Sequence, residues 1–258
     1  MILTGAEISA IVGTYLWPFI RITAMVGAMP VFSSNFIPVR IRLVIALAMT
    51  IVVVPIIPPA PAVDAISIPG ALIVFQQIVI GIVSGFIFHL VINAFIIGGQ
   101  VIAMQMGLGF ATMVDPVNGA QAPVLSMFFL LMVTLFFILL DGHLALVGLI
   151  AKSFHSLPIS VDGLIRDNYW QLVAWASEMF AGAVLVALPA VTSLLLVNMS
   201  LGVMGRAAPQ LNIFAVGFSI TITAGFYVIL VSLPVNLLQF ENLSASAFQV
   251  VKDILRVN

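Results

Sequence analysis

The sequence predicts an all-α, polytopic helical protein made for a membrane environment. Three observations carry that expectation. First, the 258 residues are 63% hydrophobic and 7% charged, against about 25% charged in an ordinary soluble domain. So few polar groups cannot cover a soluble fold of this length. Second, the apolar residues come in runs too long for core strands. Third, those runs do not alternate apolar and polar residues, as the strands of a membrane barrel do. In lipid every backbone polar group must be paired within the chain, and helices are the remaining solution.

Six apolar stretches are expected to be helical, roughly 8–32, 43–57, 71–104, 124–151, 172–205 and 211–240. Between the first two, residues 30–42 carry two prolines, two serines, Asn35, Arg40 and Arg42. The run PIIPPAPAVDAISIP at 55–69 is too proline-rich for helix. Residues 105–123 hold Gly107, Gly109, Gly119, Pro116 and Pro123. Residues 152–171 are polar, and 202–210 read GVMGRAAPQ. The tail 241–258 is polar enough to leave the apolar phase, with a short amphipathic stretch around AFQVVKDILRV.

The lengths do not fit six tidy spans. The second stretch makes roughly 22 Å of helix and the third roughly 50 Å, at 1.5 Å per residue, against a hydrocarbon core of about 30 Å. Either helices bend and break, or partners rather than lipid bury part of this surface. Orientation is weakly marked too. With Arg40, Arg42 and Arg206 on one side, Lys152, Arg166, Lys252 and Arg256 fall on the other, so the positive-inside rule does not choose.

Composition also excludes. Without cysteine, no disulfide framework or thiolate metal site is possible. A net charge of −1 offers nothing to nucleic acid. The first apolar run lacks a basic preface and a small-residue cleavage site, so it is expected to stay. HExxH, GxSxG and P-loop motifs are missing and the carboxylates are scattered, so neither an enzyme nor a metal site or cofactor is expected.

Ionisable residues inside apolar stretches are costly and draw attention. They are Arg21, His89, Asp141, His143 and Glu178. Asp141 and His143 invite a proton-relay reading, that of a secondary transporter. At i, i+2 on a helix their side chains diverge by about 200°, and Gly142 between them favours a helix end, with a capping or interface role. Small residues mark packing faces. Gly81 and Gly85 form one step, and Gly217, Thr221 and Gly225 a second. Either packs within the chain or against partner subunits.

The segment 105–123 is the most unusual. Its glycines and prolines forbid regular helix, yet Met106, Leu108, Phe110, Met113 and Val114 are apolar. Irregular backbone at membrane depth survives only where protein buries it or it lines a cavity. A glycine-rich apolar loop can block a lumen, and methionine makes a deformable seal. A surface connection between helices is the other reading.

From this segment a resemblance emerges. MGLGFATMVDPVNGAQAPVLSMFFLLMVTLFFILLDGHL (106–144), LPAVTSLLLVNMSLGVMGRAAPQLNIFAVGFSI (188–220) and WPFIRITAMVGAMPVFSSNFIPVRIRLVIALAM (17–49) resemble the FliR family of flagellar export-gate proteins, related to the SctT proteins of virulence systems. The run RAAPQLNIFAVGF favours the flagellar branch. The resemblance covers nearly the whole chain. It implies a non-enzymatic subunit that joins FliP and FliQ, with FlhB associated, in the type III secretion gate of the flagellar basal body. Unfolded flagellar subunits would pass through that gate. It implies helical hairpins, a FliP-like N-terminal part and a FliQ-like part at about 172–258 of one FliR-like domain. It also implies a bacterial inner-membrane location with part of the assembly raised to the periplasmic side.

In the family a central loop projects into the pore as a plug. The matching positions are about 106–122: Met106, Gly107, Leu108, Gly109, Phe110, Ala111, Thr112 and Met113, then Asp115 and Pro116. The resemblance makes Phe110 and Met113 apolar blockers. Gly107 and Gly109 would supply backbone freedom, and Asp115–Pro116 would anchor the loop's return. Arg206, in the turn GRAAPQ, is a candidate for a buried ion pair or for capping helix carbonyls. A scaffold without any gate is a third reading.

Overall fold

The computed structural model describes residues 5–33, 37–61, 63–109, 124–208 and 213–257. Helix α1 spans Gly5–Ala28, α2 Pro30–Ser33 and α3 Val39–Val53, with a 3-10 turn at Val54–Ile56. Then follow α4 Ile68–Gln105, α5 Val124–Leu139, α6 Gly142–Ser156, α7 Arg166–Ala207 and α8 Ile213–Leu255. Among the described residues there is no strand. The all-α expectation holds, and the described residues of the six apolar stretches are mostly helical, the fourth broken at Leu140–Asp141.

Local chemistry sets the boundaries. Ser67 caps α4: its hydroxyl oxygen accepts from the Gly70 amide at 3.1 Å, satisfying an orphan donor of the first turn. At the start of α7, Asn168 reaches back and its Oδ1 accepts from the Ile165 amide at 3.1 Å, half of a capping box. Helix α4 ends in a Schellman motif. The Leu108 amide donates to Ala103 O and the Gly107 amide to Met104 O, both at 3.0 Å, and Gly107 takes φ +81°. That left-handed position favours glycine. Helix α8 closes the same way, with Val257 donating to Lys252 O and Arg256 to Asp253 O. Here the left-handed residue is Arg256, φ 54°.

The described structure divides into two compact units, each assembled from separate stretches. Unit 1 comprises residues 1–90, 137–176 and 245–258. Its core joins Trp17, Ile22, Met25 and Val26 of α1 to Ala46 and Val53 of α3, Ile73 of α4, Ile150 and Phe154 of α6, and Ile159. Gly81 and Gly85 bring α4 and α1 into backbone contact. A Cβ on Gly81 would strike Arg21 O and lie 2.7 Å from Ala24 Cβ; one on Gly85 would lie 2.8 Å from Ala28 C. The first small-residue step therefore packs within the chain.

Unit 2 comprises residues 91–136 and 177–244. In it α4 presents Gly98 to Ala183 and Val186 of α7, and Gly99 to Leu125 and Phe129 of α5. The Ser126 hydroxyl donates across to Ile96 O at 3.2 Å. Helices α7 and α8 run antiparallel as a hairpin: Gly182 meets Leu243, and Gly217 meets Leu201. Phe240 closes the core against Phe95 and Phe136, each with centroids 5.9 Å apart.

Residues 241–255 extend α8 without a break. The amphipathic reading of this stretch holds. Ala247, Val251, Ile254 and Leu255 are fully buried, at i, i+4, i+7 and i+8, because polar Gln249, Asp253 and Arg256 occupy the other face.

Among the described residues four helical segments are long and apolar enough to cross a membrane: Val39–Ile56, Ile68–Gln105, Arg166–Ala207 and Val216–Leu255. Helices α5 and α6, bent by 60°, make a fifth if counted as one broken span. Only 17% of the Val39–Ile56 window, 33% of that in α7 and 22% of that in α8 is buried within the chain. The 42 residues of α7 and 43 of α8 have contour lengths of roughly 63–65 Å, about twice a hydrocarbon core.

Candidate functional site

Arg21 is the most costly residue the sequence placed in an apolar helix, and it is completely buried. Within unit 1 its guanidinium ties three helices together. Nε donates to Gln77 Oε1 of α4 at 2.7 Å. Nη1 donates to Ser153 O at 3.2 Å and Ser153 Oγ at 3.1 Å, and Nη2 to Leu157 O at 3.0 Å. The Phe154 ring lies 4.2 Å from the guanidinium carbon, close enough for a cation–π contact. All these acceptors are neutral. Two are carbonyls at the C-terminal end of α6, where the helix dipole welcomes a cation. The geometry makes Arg21 a capping cation that fixes α1 and α4 to the end of α6. Gln77 and Ser153 escaped sequence reasoning. The amide pair Gln76–Gln77 in the apolar run of α4 was the available sign.

The second arrangement lies in unit 2, where α4 ends. Met106 is fully buried, and it lies against the bare Cα of Gly225. A Cβ there would come 2.5 Å from Met106 Cγ, 2.6 Å from Sδ and 2.7 Å from Cε. One residue on, a Cβ on Gly107 would lie 3.3 Å from Phe218 Cε2. Thr221, between these contacts on α8, is buried, and its hydroxyl donates to Gly217 O and Phe218 O of its own helix at 3.0 Å. So Gly217, Thr221 and Gly225, read from the sequence as a packing face, receive α7 at one end and the end of α4 at the other. Leu108 and Gly109 are half-buried. Phe110, Ala111, Thr112, Met113, Asp115 and Pro116 lie outside the described residues.

Asp141 and His143 flank the break between α5 and α6. Asp141 adopts φ 53° and its side chain makes no capping hydrogen bond. It is exposed, whereas His143 is half-buried and its Nδ1 has no partner among the described residues. The helix end expected at Gly142 is present. Arg206 stands exposed in the last turn of α7. Its position suits a cation, beside the last carbonyls of a helix. Among the described residues no group of three or more metal-ligating side chains gathers.

Residues 12–247 match the model of a family described as bacterial export proteins, family 1. A flagellar biosynthetic protein FliR from Pectobacterium carotovorum subsp. carotovorum is 36% identical over 244 residues, 95% of this chain and 93% of that protein. The FliR protein of Escherichia coli (strain K12) is 35% identical over 93% of this chain and 92% of its own length. The FliR protein of Bacillus subtilis (strain 168) is 30% identical over 93% and 94%. The chain belongs to the FliR family. The family match encloses both arrangements described above, from Arg21 on α1 to Gly225 on α8. The resemblance read from the three sequence blocks is thereby established.

Proposed function

We propose that this FliR-family chain is a subunit of the flagellar type III protein export gate. It assembles with FliP and FliQ, and with FlhB associated, around the channel that unfolded flagellar subunits cross. The observation that carries this reading is the family match over residues 12–247, together with relatives named as flagellar biosynthetic proteins over more than nine-tenths of their length. Long helices that keep apolar faces uncovered support it, since such faces on a helix twice the membrane thickness call for protein neighbours as well as lipid. We assign the assembly to the bacterial inner membrane at the flagellar basal body, with part of it raised to the periplasmic side. The C-terminal hairpin of α7 and α8 corresponds to a FliQ-like part and the preceding helices to a FliP-like part.

In this reading residues 106–122 plug the channel, with Phe110 and Met113 as apolar blockers. The Schellman turn at Gly107 supports it, because it ends α4 at a fixed point and releases the chain into the glycine-rich segment. Deleting 108–113 is expected to leave the complex assembled while the membrane leaks ions or small solutes. An intact barrier in cells producing that variant would remove the plug from the proposal. Purification separates the gate from a transporter that works through Asp141 and His143. A gate subunit co-purifies with other apolar subunits, whereas a transporter is stable and active alone or as a homo-oligomer.

A further inference from the structure

The contact between Met106 and Gly225 is closer than ordinary helix packing. Three consecutive side-chain atoms of Met106, Cγ, Sδ and Cε, lie within 2.7 Å of the position a Cβ on Gly225 would take. The thioether therefore lies lengthwise in a notch that exists only because residue 225 has no side chain. The nearest of those atoms is Cγ, next to the root of the chain, so swinging the methyl end away would not make room. Two turns earlier on α8, the edge of the Phe218 ring covers Gly107, whose left-handed φ of +81° closes the Schellman turn. One helix thus holds both the buried residue that directly follows α4 and the residue that reverses the chain after it.

We infer that Met106 and Gly225 form a latch by which helix α8 positions the end of α4. They are positioning residues for the gate segment that follows, and this rests on the gate reading above. A sliding motion of α8 by one residue displaces the notch by about 1.5 Å, and a turn by about 5.4 Å. Methionine can follow the smaller shift by changing rotamer, since its three torsions and unbranched chain repack easily. It cannot follow the larger one and stay seated. The α7–α8 hairpin and the root of the gate segment are then coupled through one side chain.

The chain has no cysteine, so a single Leu108→Cys reporter can be labelled cleanly. The full chain carrying it would replace the wild-type copy in its own host, and maleimide labelling would be timed in isolated membranes. Gly225→Leu is expected to expel Met106 and speed labelling at position 108 by about tenfold or more, as a local opening becomes easier. It is also expected to impair filament export or open a leak. Adding Met106→Ala vacates the space the leucine needs, and both labelling and export should return towards the parent. Should Gly225→Leu fail to accumulate, Gly225→Ala gives the same comparison with a single methyl. Unchanged labelling, or a change that Met106→Ala does not reverse, overturns the latch. Reversible labelling with normal export and no leak overturns the positioning role. If deletion of 108–113 also leaves the barrier intact, the fault lies with the gate reading, and the latch survives only as packing.

Discussion

Replacing Gly81 with alanine sets two effects against each other, and the structure decides between them. In the middle of a helix, alanine is better than glycine by about 1 kcal/mol. At Gly81 the new methyl would strike Arg21 O and would stand 2.7 Å from Ala24 Cβ and 2.9 Å from Met25 N. Two of these atoms are backbone, so no rotamer change relieves them. Helix α1 must withdraw by about 1 Å, and a gap of that size forfeits a quarter to a half of each dispersion contact along the seam. Overpacking of this kind costs about 1–3 kcal/mol. Because the obstruction is backbone, the upper part of that range applies, and the net loss after the helix-propensity gain is about 1–2 kcal/mol. For a chain of this size that lowers Tm by roughly 2–8 °C. Gly27, in the last turn of α1, is the internal control. A Cβ there meets nothing within 4 Å, so Gly27→Ala should leave Tm unchanged or raise it by up to about 4 °C. Thermal melts of the purified chain in detergent, followed by the fluorescence of buried Trp17, measure both. Gly81→Ala melting at or above the parent would refute the claim that α1 and α4 meet backbone to backbone.

Two further substitutions test the polar features. Arg21→Met removes the donor from Gln77 Oε1, Ser153 O and Leu157 O. At about 1–3 kcal/mol per stranded buried group, partly offset by no longer desolvating a cation, a net loss of about 3 kcal/mol is expected as a lower Tm and less accumulated chain. A variant as stable as the parent would mean that desolvation outweighs the hydrogen bonds. Asp141→Gly relieves a non-glycine residue at φ 53° and should gain about 1 kcal/mol with export unchanged; loss of export would restore the proton-relay reading.

Much of this architecture was legible in the residues, because lipid-compatible helices write themselves as long apolar runs. The proline-rich run after Val54 and the glycine at 107 marked real helix ends, each through a backbone restriction that needs no tertiary information. What stayed hidden was partnership. Arg21 stood out by its cost, yet its acceptors lie 56, 132 and 136 residues away, and nothing local points to them. The stripe on α8 was visible as small residues, but not that Met106 fills it. The tail read as polar for a related reason. Its alternating polar and apolar faces average to a polar stretch, although four of its residues are fully buried.

The interleaving of the two units bears on how the chain is made. Unit 1 begins with α1 and is completed only by residues 245–258. Those residues bring the Ser246 hydroxyl, which accepts from Trp175 Nε1 at 3.0 Å, and Leu255 O, which accepts from the Ser156 hydroxyl at 2.5 Å. Phe248, 4.6 Å from the Phe88 ring, fills the same space. At translation speeds of about 5–20 residues per second, more than 200 residues emerge after the first helix before unit 1 has its last segment. Through those seconds its apolar surface must be sheltered by lipid, a chaperone or an already waiting subunit. Biogenesis of such a chain is therefore a problem of holding the beginning open until its end arrives.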